Sequence, residues 1–136
     1  MGSAAMVSLV LVSHSRQLAE GVRELAQQMT QGRVKIAVAG GTSDGRLGTD
    51  ATVIQAAIED VRGPEGVLVL VDLGSAVLST QMAIEQLADG GGRVLLSEAP
   101  FVEGAVIAAV EASIEKDLDE VAAAAAGAAQ MVKIPV

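Results

Sequence analysis

Cysteine is absent from the 136 residues, which excludes a disulfide framework and thiolate chemistry. Tryptophan and tyrosine are absent too, and there is one phenylalanine, so stacking on bases or sugar rings is almost unavailable. A single histidine without cysteine argues against a tetrahedral structural zinc site. Basic residues are few: 9 Lys and Arg stand against 17 Asp and Glu, a formal net charge of -8. Nucleic acid and anionic membrane surfaces, which call for a basic face, are therefore not expected partners. No apolar run approaches the roughly 20 residues of a membrane-spanning helix. Two catalytic signatures are missing as well: G-x-x-x-x-G-K-[ST], and a G-x-G-x-x-G after the first strand.

What is present suits one compact α/β domain, with a hydrophobic fraction of 51%. Residues 1–5 (Met-Gly-Ser-Ala-Ala) read as a cloning scar ahead of a native Met6, without the basic and long apolar regions of a signal peptide. The domain is expected over 6–132, with 133–136 as a tail or the start of a linker, and the default location is cytoplasmic.

Short apolar runs alternate with helical periodicity along the chain. Residues 7–12 are Val/Leu-rich without polar alternation, the pattern of a strand buried on both faces of a parallel sheet. A helix is expected over 16–29, with Ser15 as N-cap and Gly32 beyond its end. Strands at 34–39, 67–71 and 93–97 and helices near 53–61, 76–88, 101–113 and an alanine-rich 117–131 complete the alternation. Alanine in that last helix permits close packing on another element or a second subunit. Loop 40–50 (Gly-Gly-Thr-Ser-Asp-Gly-Arg-Leu-Gly-Thr-Asp) is longer than the about 2–6 residues of a simple strand-to-helix turn, which makes it a site candidate.

Such a chain predicts a doubly wound, mainly parallel sheet, in which ligands bind beyond the carboxyl ends of the strands. With strand order 2-1-3-4, the loops after the first three strands meet, and His14 stands between loop 40–50 and Asp72. A neutral imidazole can attack phosphorus. A carboxylate that accepts a hydrogen bond from one ring nitrogen fixes the tautomer and leaves the other nitrogen nucleophilic. Asp72 suits that role. Backbone N–H groups opening the first helix, Gly40 and Gly41, and the hydroxyls of Ser13, Ser15, Thr42, Ser43 or Ser75 are candidate donors to a phosphoryl group. The residues alone leave plainer readings open: His14 as a satisfied loop residue, Asp72 as the cap of the turn after it, and loop 40–50 as a surface loop. Leu47 and Phe101 are either exposed docking residues or core.

Four stretches, Val-Ser-Leu-Val-Leu-Val-Ser-His14-Ser, Ala39-Gly-Gly followed by Gly48-Thr-Asp, Val-Leu-Val-Asp72-Leu-Gly-Ser-Ala, and Leu96-Ser-Glu-Ala-Pro-Phe-Val-Glu-Gly, occur in the order seen in a known family. They resemble the DhaM family, the phosphotransferase subunits of phosphoenolpyruvate-dependent dihydroxyacetone kinases, whose domain is similar to the mannose-type IIA domain. The resemblance implies a homodimer in which Nε2 of His14 accepts a phosphoryl group from an HPr protein and passes it to ADP on the nucleotide-binding kinase subunit. It implies that Asp72 holds Nδ1, that this chain binds no cofactor itself, and that ADP and ATP belong to the partner. Two other readings are a mannose-type sugar transporter IIA component that hands its phosphoryl group to a IIB protein, and a non-enzymatic interaction module in which His14 is structural.

Overall fold

In a computed structural model, the described residues are 6–135. The cloning scar expected at 1–5 lies outside them, as does the last residue of the expected tail. The strands are β1 (Ser8–Ser13), β2 (Ile36–Gly40), β3 (Val67–Val71) and β4 (Val94–Ser97). The helices are α1 (Arg16–Thr30), α2 (Ala51–Val61), α3 (Val77–Glu85), α4 (Phe101–Ser113) and α5 (Leu118–Gly127). All strand pairs are parallel and the order is β2-β1-β3-β4, the doubly wound arrangement expected.

The unbroken apolar character of β1 follows from its burial on both sides. Leu9 and Leu11 face a core built with α1, α4 and α5, whereas Val10 and Val12 face a second core with α2 and α3. Side chains alternate across a strand, so a central strand covered by helices on both sides has no position to spare for a polar residue. Fully burying each Leu contributes about 1.5–3 kcal/mol relative to leaving it exposed. The alanine-rich α5 packs on α4, where Ala105, Ala108, Ala109 and Ala112 are fully buried with Val121 and Ala125. Small residues on both helices let their axes approach closely.

Strands β1, β2 and β4 shift by one or two residues from the expected ranges, and three helices end elsewhere than the periodicity suggests. Helix α1 runs one residue past the expected 29 and stops at Thr30, with Gly32 beyond its end as expected, because Gln31 takes the left-handed conformation (φ 57°) and its N–H reaches the Gln27 carbonyl. The third helix is entered through a 3₁₀ turn, Gly74–Ala76, and ends at Glu85, short of the expected 88. There the bonds tighten to three-residue spacing, and the Arg62 guanidinium takes the carbonyls of Ala88 and Gly92. The last helix gives way at Ala128 to another 3₁₀ turn. Phe101 belongs to the core at 9% exposure, and Leu47 is 80% exposed. No helix among the described residues is long and apolar enough to cross a membrane.

Candidate active site

Register brings the site together. Val12 pairs with Ala39 on one side and Val71 on the other, so Ser13, Gly40 and Asp72 emerge side by side at the carboxyl edge of the sheet. His14 follows on the central strand. It stands just before Ser15, whose hydroxyl caps α1 by accepting the Leu18 N–H at 3.2 Å.

Asp72 is the hub. Its Oδ1 accepts from His14 Nδ1 at 3.0 Å and from the Leu73 N–H at 2.7 Å. Its Oδ2 accepts from the His14 backbone N–H at 2.9 Å and the Ser13 hydroxyl at 3.0 Å. Burial of this side chain, only 7% exposed, works to raise its pKa. The hydrogen bonds from the His14 backbone, the His14 ring and Ser13, together with the pull of the imidazole's charge, outweigh burial and hold the carboxyl below the usual carboxylate range. Asp72 is therefore an acceptor only. That assigns the proton of neutral His14 to Nδ1 and leaves the Nε2 lone pair free to accept.

Nε2 faces outward to the Ser75 hydroxyl at 2.9 Å. Ser75 sits on the 3₁₀ turn that begins only two residues after Asp72, and it is exposed. The His14 side chain is 27% exposed, enough for a reacting group to reach the outer nitrogen.

The loop after β2 contributes differently. The Gly41 N–H donates to the Ser13 carbonyl at 3.1 Å, and the Gly48 N–H donates to the His14 carbonyl at 2.9 Å. Both glycines of the Gly40-Gly41 pair are sterically required. A Cβ on Gly40 would lie 2.4 Å from Arg16 Cα, and Gly41 (φ 76°) would place one 2.8 Å from the Arg46 carbonyl oxygen. The loop's side chains turn back on themselves: the Thr42 hydroxyl bonds Asp44 and accepts the Arg46 N–H at 3.2 Å.

The candidate phosphate-binding residues thus fall into three groups. Ser75 is the one hydroxyl among them bonded to the His14 ring. Ser13 and Ser15 serve the frame: the fully buried Ser13 hydroxyl donates to Asp72 and accepts the Ser15 N–H at 3.0 Å, and Ser15 caps α1. Gly40, Gly41 and Thr42 build the loop, and Ser43 lies exposed on it. Two contributions had little signal in the sequence. Gly48 stood inside a recognised stretch without a role, and Leu73 acts through a main-chain N–H that any residue but proline would supply. Among the described residues no cluster of His, Cys, Asp or Glu is arranged to hold a metal ion. Beside Asp72, on the β4 side, a cleft of about 610 Å³ is lined by Leu73, Gly74, Val77, Gln81 and Phe101, among others.

The family described as the PTS system fructose IIA component, EIIA-man, matches residues 8–122. A phosphoryl donor subunit DhaM of a phosphoenolpyruvate-dependent dihydroxyacetone kinase from Listeria innocua is 41% identical over 110 residues, covering 80% of this chain and 88% of the relative. The chain belongs to the EIIA-man family, in its DhaM branch. Another DhaM relative, from Escherichia coli, is 48% identical over 120 residues, 85% of this chain. The chain spans about a quarter of that relative's length, as the match covers 25% of it. Among solved structures, a protein of unknown function, EF1359, superposes with a TM-score of 0.79 at 35% identity, covering 90% of this chain and 95% of its own. A sigma-54 interaction domain protein from Enterococcus faecalis, at 18% identity and a TM-score of 0.64, shares the fold. His14, Asp72 and Ser75 all lie inside the EIIA-man match.

Proposed function

We propose that this chain is a phosphohistidine carrier of a phosphoenolpyruvate-dependent dihydroxyacetone kinase, accepting a phosphoryl group from phospho-HPr on His14 Nε2 and passing it to ADP held by the nucleotide-binding kinase subunit. The observation that carries the reading is the polarity of the imidazole, with Nδ1–H locked on Asp72 at 3.0 Å and Nε2 turned outward.

Nε2 attacks the donor's phosphorus in line. The phosphorus–nitrogen bond of the donor breaks, and a new one forms to His14. The imidazole gains positive charge in that step, and the Asp72 carboxylate, one hydrogen bond away, stabilises it. The Ser75 hydroxyl, which donates to Nε2 at rest, is placed to turn to a phosphoryl oxygen once Nε2 is occupied. The N–H groups of Arg16 and Gln17, at the start of α1, have no intrahelical partner and lend the positive end of the helix to the same region. In the second step an oxygen of the acceptor's terminal phosphate attacks the same phosphorus, and His14 leaves as the neutral imidazole. Such a reaction depends mainly on positioning and electrostatics.

The proposal includes a homodimer, for which light scattering is the test, and a cytoplasmic site of action, where HPr and the kinase subunits would be met. For the chemistry, the protein is incubated with enzyme I, HPr and phosphoenolpyruvate, and an acid-labile phosphate is sought. The phosphorylated protein is then offered to the ADP-loaded kinase subunit and, separately, to a IIB protein. Labelling of wild type but not of His14→Ala, with discharge to the kinase subunit, is expected. Equal labelling of both proteins refutes the carrier role, and discharge to IIB alone refutes the acceptor.

A further inference from the structure

We infer that Thr49 and Ser79 form a positioning pair for phosphoryl transfer, a hydroxyl strut between the loop after β2 and helix α3 that holds Ser75 on His14 Nε2. The inference rests on the proposed phosphocarrier role for its kinetic consequence and on geometry for the rest.

Thr49 Oγ1 and Ser79 Oγ lie 2.9 Å apart and partly buried, joining residues 30 positions apart in the chain. Each end is tied to His14 by a separate route. Thr49 follows Gly48, whose N–H holds the His14 carbonyl at 2.9 Å, and precedes Asp50, which caps α2 through the Thr52 N–H at 2.9 Å and the Thr52 hydroxyl at 2.6 Å. Ser79 stands four residues beyond Ser75, on the same side of the helical turn, and Ser75 reaches Nε2 at 2.9 Å. Strut, loop, histidine and α3 thus close a ring around the reactive nitrogen.

Two further observations say that the ring carries a restraint. The entry to α3, like that of α4, lacks a side-chain cap: neither Leu73, ahead of the 3₁₀ turn, nor Ala76, ahead of α3, provides one, whereas Ser15, Asp50 and Asp117 cap their helices. The exposed turn bearing Ser75 therefore depends on contacts from outside its own helix. The neighbouring Thr80, in turn, spends its hydroxyl on the Ala76 carbonyl at 2.8 Å within its own helix, while Ser79 directs its hydroxyl across to the loop.

The test uses Thr49→Val, Ser79→Ala, their double variant, Thr49→Ser, which keeps the hydroxyl, and Ser75→Ala alone and combined with Ser79→Ala. Two readouts are taken on proteins whose thermal unfolding is measured in parallel: phosphoryl transfer from phospho-HPr, and the nitrogen-15 resonances of unphosphorylated His14. Removing either hydroxyl is expected to lower kcat by about 3–10-fold with KM for phospho-HPr unchanged, the scale of one lost hydrogen bond. The Nε2 resonance moves toward its position in Ser75→Ala, the double variant is no worse than the poorer single, and Thr49→Ser restores both readouts. Unmoved Nε2 resonances in the folded variants overturn the strut, as does a loss of kcat that is fully additive with Ser75→Ala. If wild type itself takes no phosphoryl group, the carrier reading fails and the Nε2 resonance alone decides the strut.

Discussion

The two sides of His14 are built on different principles. On the β3 side, side chains do the work: Asp72 receives four donors and Ser75 bonds the outer ring nitrogen, all within four residues of sequence. On the β2 side, a longer loop meets the Ser13-His14 pair only through main-chain N–H groups, while its side chains bond within the loop at Thr42, Asp44 and Arg46 or reach α2 and α3 from Asp50 and Thr49. One side therefore encodes chemistry, which point substitutions can remove while the fold persists. The other encodes shape, for which the requirement is the absence of a side chain at Gly40 and Gly41.

Asp72→Asn should have the largest effect on that contrast. An amide presents N–H groups as well as oxygen and permits the wrong imidazole tautomer, so transfer from phospho-HPr is expected to fall by about 100-fold or more in rapid-quench measurements, with the circular dichroism spectrum retained. A fall of less than a few-fold would remove the orienting role. On the opposite side, Gly40→Ala forces a methyl group onto the Arg16 backbone and should cost about 2–4 kcal/mol in urea unfolding. A substitution that is neutral in stability would mean that the loop yields easily and is not a fixed template.

Ser75→Ala, which removes one hydrogen bond, should slow transfer by about 3–10-fold without altering stability. Acid titration then isolates the carboxylate. The folded pKa of Asp72 lies below its unfolded value of about 3.9, so its contribution to stability is whole above that pH and is lost as pH falls through the lower folded value. The stability gap between wild type and Asp72→Asn should accordingly narrow below about pH 4, and a gap independent of pH would contradict the hydrogen bonds described. Smallest of all, Thr42→Ala should change transfer less than about 2-fold, since that hydroxyl serves its own loop. A large loss would place Thr42 among the chemical groups after all.

The same contrast explains what sequence reasoning could reach. Strand order and the meeting of His14 with Asp72 were legible because a parallel sheet with right-handed crossovers leaves few topologies, and because an acidic residue directly follows the apolar run of β3. The division of labour among the hydroxyls was not. Ser13 and Ser75 are alike as letters, yet one is fully buried under Asp72 and the other exposed on a 3₁₀ turn, a difference set by pleat direction and turn geometry. Main-chain donors such as Gly48 and Leu73 leave almost no compositional trace. The Thr49–Ser79 contact depends on how far α3 leans toward the loop, which periodicity does not encode.

Lys133 Nζ pairs with Glu103 at 2.6 Å near the end of the described chain. Glu103 lies in the first turn of α4, just past the carboxyl end of β4, so Lys133 lies at the end of the sheet that carries His14. A phosphoryl donor or acceptor domain fused there through a short flexible linker would search a small volume around Nε2. At the millimolar effective concentrations such linkers produce, delivery would become nearly intramolecular, and weak docking would suffice for fast exchange.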